Sequence, residues 1–261
     1  MSHFLDLHHR EGRPLLIPNP WDAGSAKLLE SLGFEALATT SSGFAATLGR
    51  VDYSVTREEA IAHSATIVGA TSLPVSADLE NGFGDDPEEV AETVRQAAGA
   101  GLAGCSIEDS TGRDDGPIYC LEHAVARVAA AVEVKGDLVL TARAENHLHG
   151  RDDLADTIAR LQAYEQAGAD VVYAPGLMRI EDIREVVGAV GVPVNVLARG
   201  GAPTVAELAE AGVRRISVGG HFAFAALAAA ADAARELLEQ GTYGFAERSR
   251  EGAKLARAAF S

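Results

Sequence analysis

Residues 75 to 84 read VSADLENGFG, and they place two acidic side chains where an apolar run passes into a glycine-rich turn. In a β-strand, residues i and i+2 lie on the same face, so Asp78 and Glu80 should point the same way. Two carboxylates held side by side repel each other unless a cation or a shared proton offsets their charge. The stretch therefore predicts a site that binds a cation or shares a proton.

Two further acids join this pair if the predicted strands belong to one barrel. Asp52 lies in the loop behind the second predicted strand, and Glu108 is near the end of the fourth. With Asp78 and Glu80 they offer four oxygen ligands without histidine or thiol, a set that suits Mg²⁺ or Mn²⁺ and not zinc. Any one of these acids could be a helix cap or a solvated loop residue. Four that converge at one mouth favour a metal site, in which some acids act through water because Mg²⁺ keeps several waters.

Other polar side chains at predicted strand ends could hold an anionic substrate. The run from Thr40 to Gly43 offers hydroxyls and successive backbone N–H groups, which suit a carboxylate or another oxyanion. A buried arginine must be paired, so Arg143 on the fifth predicted strand should bind a substrate carboxylate or the acids. The candidate substrate-binding residues are Trp21, Thr40, Ser41, Ser42, Gly43, Arg143 and Asn195. The candidates for proton transfer are Tyr119, Tyr173, His123 and Glu145, and the predicted catalytic set is Arg143 with Tyr119.

Short apolar runs typical of buried strands alternate with segments of helical period along the chain. The eight runs are residues 15–20, 36–42, 74–80, 104–109, 138–145, 170–175, 193–198 and 214–220. Eight such units without an interdomain linker predict one α/β domain over residues 1–261, a closed (β/α)₈ TIM-type barrel with its site at the carboxyl ends of the strands. A doubly wound open sheet is the alternative, and the lack of a GxGxxG motif after the first strand counts against it.

Two helical segments follow the last predicted strand, within residues 221–261. The first, HFAFAALAAAADAARELLEQG, has small apolar residues on every face, whereas a solitary surface helix needs only one apolar stripe. The periodicity leaves open whether this helix packs on its own barrel or on another subunit. We expect these C-terminal helices to take part in oligomerisation, as a homodimer or homotetramer.

The net charge and the cysteine content exclude several classes of protein. A formal net charge of −16 and a pI near 4.8 oppose binding to nucleic acid or to anionic membranes. Cys105 and Cys120 form no CxxC pair, so neither a disulfide framework nor a zinc site is indicated. The chain begins without the apolar core of a signal peptide and has no run that could span a membrane, so we expect a cytoplasmic protein.

Five motifs together resemble the isocitrate lyase / phosphoenolpyruvate mutase superfamily over about residues 12–240. They are NPWDAGSAKLLESLGFEALATTSSGFAATLG, ADLENGFG, IED, TARAE and PVNVLA. The resemblance implies a (β/α)₈ barrel, often with the eighth helix swapped between subunits of a dimer within a tetramer. It also implies Mg²⁺-dependent making or breaking of C–C or P–C bonds next to a 2-oxo or 2-hydroxy carboxylate. The family's metal-site acids match Asp52, Asp78 and Glu108, and its substrate-binding residues match Thr40 to Gly43, Arg143 and Asn195.

The sequence departs from the superfamily at three places. Glu80 stands where an aspartate is usual. The lyases carry a K-[KR]-C-G-H segment after the IED motif, but here the chain reads IEDSTGRDDGPIYCLEH, and we interpret Cys120 as a small packing residue. They also carry a glutamate near the end of strand six, where this chain reads YAPGL. The chain is thus expected to be a short-loop member that keeps the metal and carboxylate site without the usual lyase acid.

These observations favour a Mg²⁺-dependent lyase that cleaves a C–C bond of a small 2-oxo or 2-hydroxy di- or tricarboxylate, as isocitrate and methylisocitrate lyases do. The ion would act as a Lewis acid on the enolate that forms as the bond breaks. One alternative is a hydrolase of the oxaloacetate or phosphonopyruvate type on the same site. The other is a 2-oxo acid binding protein with little turnover.

Overall fold

Eight parallel strands form the centre of the protein in the computed structural model, which describes residues 3–261. The strands are β1 (Leu15–Ile17), β2 (Leu37–Ala38), β3 (Val75–Asp78), β4 (Gly104–Glu108), β5 (Val139–Arg143), β6 (Val171–Tyr173), β7 (Val194–Leu197) and β8 (Arg215–Ser217). Their order is β1-β8-β7-β6-β5-β4-β3-β2. The backbone N–H of Ala38 donates to the carbonyl of Pro18 at 3.0 Å, which brings β2 back to the end of β1. The predicted (β/α)₈ barrel and all eight predicted strands are confirmed.

Helices surround this barrel and follow the strands in turn. They are α1 (His3–His9), α2 (Ala23–Ser31), α3 (Ser41–Thr47), α4 (Arg57–Val68), α5 (Pro87–Gly99), α6 (Leu121–Val134), α7 (Leu154–Gln166), α8 (Ile180–Ala189), α9 (Val205–Glu210), α10 (His221–Gln240) and α11 (Ala246–Phe260). Several begin with a side-chain cap: Thr56 caps α4 and Thr204 caps α9, each within a capping box. Such caps satisfy backbone N–H groups that a helix leaves free at its start, so helix positions are set locally.

The amino-terminal helix α1 closes the end of the barrel opposite to the predicted site. Phe4 and Leu7 are buried with the strand residues Leu15, Ile17, Ala36, Ala38, Val139 and Val171. Gly104, at the start of β4, makes room for this contact. A Cβ there would lie 2.6 Å from the Val139 carbonyl oxygen and 2.9 Å from the Phe4 ring, which is closer than side chains pack.

The barrel interior above α1 is polar. TIM barrels usually fill this space with bulky branched side chains. Here the residues that line it include four small hydroxyl side chains, one amide and one arginine, namely Ser76, Ser106, Thr141, Ser217, Asn195 and Arg215. Small side chains leave volume, and the result is a cavity inside the carboxyl end of the barrel.

The two C-terminal helices differ in how they meet the barrel. In α10 only Ala223 is buried, and the exposed large apolar residues are Phe222, Phe224, Leu227, Leu237 and Leu238. The chain then turns at Gly241, and α11 returns to pack against α2. Within residues 3–261, no helix has the length and apolar character needed to cross a membrane.

Candidate active site

The largest concentration of predicted site residues lies around a cavity of about 180 Å³ at the carboxyl ends of the strands. Of the predicted substrate and metal residues, the cavity wall contains Thr40, Ser41, Ser42, Asp52, Asp78, Arg143 and Asn195. Tyr173, one of the four proton-transfer candidates, also lines it. Residues from separate parts of the chain meet here because parallel strands all end at the same rim of a barrel.

Arg143 is the centre of the charge arrangement. Its guanidinium lies 3.1 Å from Asp78 Oδ1, 2.9 Å from Glu108 Oε2 and 2.8 Å from Glu145 Oε1. Glu108 and Arg143 are register partners on β4 and β5, which fixes that pair through the backbone. Of the two partners that the sequence left open for Arg143, the structure shows the acids. Burial by itself lowers the pKa of Arg143, but the three carboxylates outweigh it and hold the pKa above its usual value.

The acids outnumber the cation, and their pKa values reflect it. Burial, with repulsion from Glu145 and Asp78, raises the pKa of Glu108 although Arg143 opposes the shift. Burial, followed by repulsion from Asp78, raises the pKa of Asp52. The same causes, with Asp52 added, raise the pKa of Glu80 to about 8. A cation bound beside these groups would relieve the repulsion, as the sequence pattern predicts.

Asp78 is held in place by the start of α3. Its Oδ2 atom accepts from the backbone N–H of Ser41 at 3.3 Å and from the Ser41 hydroxyl at 3.1 Å. Thr40 caps the same helix by accepting from the Gly43 N–H at 3.2 Å. A Cβ on Gly43 would lie 2.5 Å from the Thr40 methyl carbon, so this position needs glycine. Gly43 therefore supports Thr40 from behind, and it does not line the cavity.

The four predicted metal ligands do not share one wall. Asp52 and Asp78 line the cavity, Glu108 is buried behind Arg143, and Glu80 lies with Asp78 against a smaller pocket beside Phe83. β3 ends at Asp78, and Glu80 has a left-handed φ of 49°, so strand alternation does not extend to it. Among residues 3–261, no three acid, histidine or cysteine side chains converge closely enough to hold an ion alone. The oxygen donors fit Mg²⁺ if Asp52 and Asp78 supply ligands and waters complete the shell.

The sequence profile of the phosphoenolpyruvate phosphomutase family matches residues 4–238. The chain belongs to this family. A solved structure from Burkholderia cenocepacia J2315, described as a candidate lyase or mutase, is 53% identical with a TM-score of 0.93, covering 97% of this chain and 93% of that chain. The 2-methylisocitrate lyase of Escherichia coli K12 is 32% identical over 212 residues, 77% of this chain and 72% of that protein. An oxaloacetate decarboxylase of Pseudomonas fluorescens is 33% identical over 227 residues, 83% and 77% of the two chains.

In this family member, Tyr119 lies outside the cavity. Its hydroxyl donates to Asp85, and its ring lies under the guanidinium of Arg127. Arg127 in turn donates to the backbone carbonyls of Asn81, Gly84 and Asp85, the turn that follows β3. The predicted catalytic role of Tyr119 does not fit this position, because the side chain supports the turn and does not reach the cavity. His123 is also absent from the cavity wall, with its ring nitrogen 2.9 Å from the Asp85 carbonyl oxygen.

Trp21 and Cys120 also differ from what the sequence predicted. Trp21 is half-buried, does not line the cavity and donates its backbone N–H to the Ser25 hydroxyl at 3.0 Å. Cys120 is exposed at the start of α6, so the interpretation of it as a packing residue is wrong. A cysteine directly before a helix lies at its cap, and a cap residue can face solvent even when the next helical turn is buried.

A buried hydrogen-bond network around Asp109, which the sequence did not predict, fixes the end of β5. Asp109 accepts from the Glu145 backbone N–H at 2.8 Å, from Arg160 at 2.9 Å and from the Tyr164 hydroxyl at 2.7 Å. Arg160 also binds Asp156 at 2.9 Å, one helical turn before it on α7. The sequence did contain a signal for this network. Arg160 and Tyr164 are four positions apart on one helix and so lie on the same face of it.

The deeper part of the cavity contains Arg215, which the sequence did not predict, close to the predicted residues Asn195 and Tyr173. Arg215 donates to the Thr141 hydroxyl at 2.9 Å, and burial lowers the pKa of this arginine to about 10. Asn195 donates to the Ser217 hydroxyl at 3.0 Å. The Tyr173 ring lies beside Arg143, whose guanidinium carbon is 5.2 Å from the ring centroid. The signal for Arg215 was a charged residue inside the apolar run of the eighth strand.

Proposed function

We propose that the protein is a Mg²⁺-dependent lyase that cleaves a C–C bond of a small 2-oxo or 2-hydroxy di- or tricarboxylate. The observation that carries the proposal is the meeting of Asp52, Asp78 and Arg143 at one wall of a small polar cavity. Family membership agrees, because relatives include proteins named 2-methylisocitrate lyase and oxaloacetate decarboxylase. A cavity of about 180 Å³ suits a substrate of few carbons.

Asp78 and Asp52 would hold the Mg²⁺ ion, with Glu80 and Glu108 acting through water. Asp78 is the better oriented of the two because Ser41 and Arg143 fix both of its oxygens. When bound, the ion supplies a Lewis acid that stabilises negative charge on the substrate oxygens. All four side chains are hard oxygen donors, which suit Mg²⁺ or Mn²⁺.

Arg143 and the start of α3 would hold the substrate carboxylates. The Ser41 and Ser42 side chains line the cavity, and their hydroxyl groups can donate to a carboxylate. Arg143 is already oriented by Asp78, Glu108 and Glu145, so it would offer a fixed cationic surface to a carboxylate. Asn195 would contact the substrate from the opposite side, on β7.

Tyr173 is the proton donor that the geometry supports best among the four candidates. Its side chain lines the cavity and lies beside Arg143, whereas Tyr119 and His123 face Asp85. Burial raises the pKa of Tyr173, so the phenol holds its proton at neutral pH. A group that keeps its proton until negative charge develops on the product suits a general acid.

The test is turnover of candidate acids by the purified protein with and without Mg²⁺. Isocitrate, 2-methylisocitrate and oxaloacetate are incubated with the enzyme, and glyoxylate, pyruvate, oxalate, acetate and carbon dioxide are quantified. We expect Mg²⁺-dependent C–C cleavage of at least one acid, lost in Arg143→Lys and retained in Tyr119→Phe. If oxaloacetate instead gives oxalate and acetate, the protein is a hydrolase and the lyase proposal is replaced. Binding without any Mg²⁺-dependent product would leave a binding protein and refute the enzyme proposal.

We also propose that α10 packs against a second copy of the chain, within a dimer or tetramer. The support is its exposed apolar surface, which includes Phe222, Phe224, Leu227 and Leu237, since an exposed patch of this kind marks an interaction surface. The free cysteines Cys105 and Cys120 fit a reducing compartment, and we propose the cytoplasm as the location.

A further inference from the structure

Arg215 is a buried cation without an anionic partner. Its side chain is 4% exposed, one nitrogen donates to the Thr141 hydroxyl at 2.9 Å, and its Nε atom has no hydrogen-bond acceptor. Within residues 3–261, no carboxylate lies within 4.0 Å of it. Charged groups are rarely buried unpaired, because the loss of hydration must be offset. Arg143 and Arg160 satisfy this rule through Asp78, Glu108, Glu145, Asp109 and Asp156.

A second unpaired polar atom lines the same cavity. Asn195 is 2% exposed, and its side-chain oxygen has no donor, although its amide nitrogen donates to Ser217. Arg215 and Asn195 are register partners on the neighbouring strands β8 and β7. A buried donor and a buried acceptor side by side in a cavity indicate that something polar binds between them.

Arg215 lies deeper in the barrel than Arg143. Arg215 contacts Thr141, which is two residues before Arg143 on β5 and therefore about 7 Å further from the rim. Charge is thus divided along the cavity axis. The rim carries Asp52, Asp78 and Glu108 around one arginine, and the floor carries a cation with no acid beside it.

We propose that Arg215 and Asn195 form a second subsite that binds a distal carboxylate of the substrate, at the floor of the cavity. The identity of the ligand as a multicarboxylic acid rests on the proposed function. Arg215 supplies two N–H donors to the carboxylate, and the Asn195 oxygen accepts from a hydroxyl of the same molecule. An acid with one carboxylate leaves Arg215 unpaired in a buried site, so the subsite selects di- and tricarboxylates over monocarboxylates of equal length.

The test compares two ligands that differ only at the distal group. Malate and 2-hydroxybutyrate have the same chain length and the same 2-hydroxy acid end, but only malate carries the second carboxylate. Binding of each is measured by isothermal titration calorimetry in the presence of Mg²⁺. We expect malate to bind at least about tenfold more tightly, since hydrogen bonds to a buried charge contribute that much. Equal affinity would overturn the subsite.

Two variants of Arg215 test whether this residue causes the preference for malate over 2-hydroxybutyrate. Arg215→Met removes the charge at similar length, and we expect the malate preference to fall to within about twofold while 2-hydroxybutyrate binds as before. Arg215→Lys keeps a charge and should retain part of the preference, which covers the case in which the methionine variant fails to fold. An unchanged preference in a folded methionine variant would overturn the proposal.

A competition experiment distinguishes a carboxylate subsite from a site for an inorganic anion. Chloride and inorganic phosphate are titrated as competitors, and displacement of malate by chloride at equal concentration would assign the floor to an inorganic anion and refute the subsite. The outcome is independent of turnover. If no acid is cleaved but the malate preference depends on Arg215, the lyase proposal fails and the subsite stands. If acids are cleaved and the malate preference is the same in Arg215→Met as in the native chain, the lyase proposal stands and the subsite fails.

Discussion

The guanidinium of Arg127 lies over the ring of Tyr119, with its central carbon 4.3 Å from the ring centroid. The same guanidinium donates to three carbonyls of the turn that follows β3. A cation–π contact and three charge-assisted hydrogen bonds together hold this turn, which carries Glu80 and follows Asp78. A residue of α6 thus determines the shape of a loop that borders the metal-site acids.

Replacing Tyr119 by phenylalanine should leave catalysis nearly intact. The ring stays under Arg127, and only the hydroxyl bond to Asp85 is lost. We expect the free energy of unfolding to fall by about 1 kcal/mol and kcat to change by less than about threefold. Tyr119→Ala, which also removes the ring, should cost about 3–5 kcal/mol. Denaturant unfolding and steady-state kinetics check both variants, and a large loss of kcat at full stability in Tyr119→Phe would make the residue catalytic after all.

Removal of Asp78 should weaken Mg²⁺ binding more than removal of Glu80. Asp78 lines the cavity and Glu80 does not, so we expect Glu80 to reach the ion mainly through water. Loss of a water-mediated acid should weaken binding about tenfold, and loss of the direct ligand by more than about 100-fold. Titration calorimetry of Asp78→Ala and Glu80→Ala measures this, with Asp78→Asn and Glu80→Gln as variants of equal size. The opposite order would assign Glu80 as the primary ligand.

His8 should make a contribution to folding that becomes less favourable as the solution becomes acidic below pH 6.5. His8 is fully buried at the base of the barrel, and burial, with repulsion from Arg215, lowers its pKa to about 3. The unfolded chain binds a proton at this residue below about pH 6.5 and the folded chain does not. The contribution of His8 therefore shifts toward unfolding between pH 6.5 and about 3, by about 2 kcal/mol between pH 6.5 and 5.

The measurement is the free energy of unfolding at several pH values in the native chain and in His8→Gln. The free energy of unfolding of the glutamine variant should rise relative to that of the native chain by about 2 kcal/mol from pH 6.5 to 5. His9→Gln, at the exposed neighbouring position, is the matched control and should keep the native slope. Identical slopes in the native chain and His8→Gln would exclude His8 as a source of the pH dependence.

A charge on α10 should break up the assembly that we propose. Leu227 is 53% exposed in the single chain, and Leu227→Glu would place a carboxylate within an apolar interface, where an unpaired charge is costly. We expect light scattering after size exclusion to shift from dimer or tetramer toward monomer. Leu32→Glu, at a similarly exposed leucine after α2, should leave the mass unchanged. A native chain that is monomeric at high concentration would contradict the interface itself.

The barrel was predictable from the sequence because its signals are local. Each strand is a short apolar run, and helix starts are marked by residues such as Thr56, Pro87 and Thr204. Parallel strands then bring their ends to one rim, which was enough to place Asp52, Asp78 and Arg143 together. The register of β4 and β5 could not be known, and it is this register that sets Glu108 beside Arg143.

The positions of Tyr119 and Arg215 could not be predicted for a different reason. Whether a side chain faces the cavity or the outer layer depends on contacts between elements far apart in sequence. Tyr119 lies in a loop, where no periodicity indicates direction, and its partner Arg127 is on a helix. Arg215 lies on a short strand whose inward face is defined by pairing with β7 and β1. Strand alternation also failed at Glu80, because β3 ends two residues earlier.

The helix α1 closes one end of the barrel, with Phe4 and Leu7 against the beginnings of the strands. A reaction chamber closed at its base is filled and emptied through a single opening. If a substrate is cleaved there, the fragment nearer the rim has to leave before the fragment that lies against Arg215. Product release would then be ordered by position alone, and the deeper fragment would compete with incoming substrate while the outer one would not.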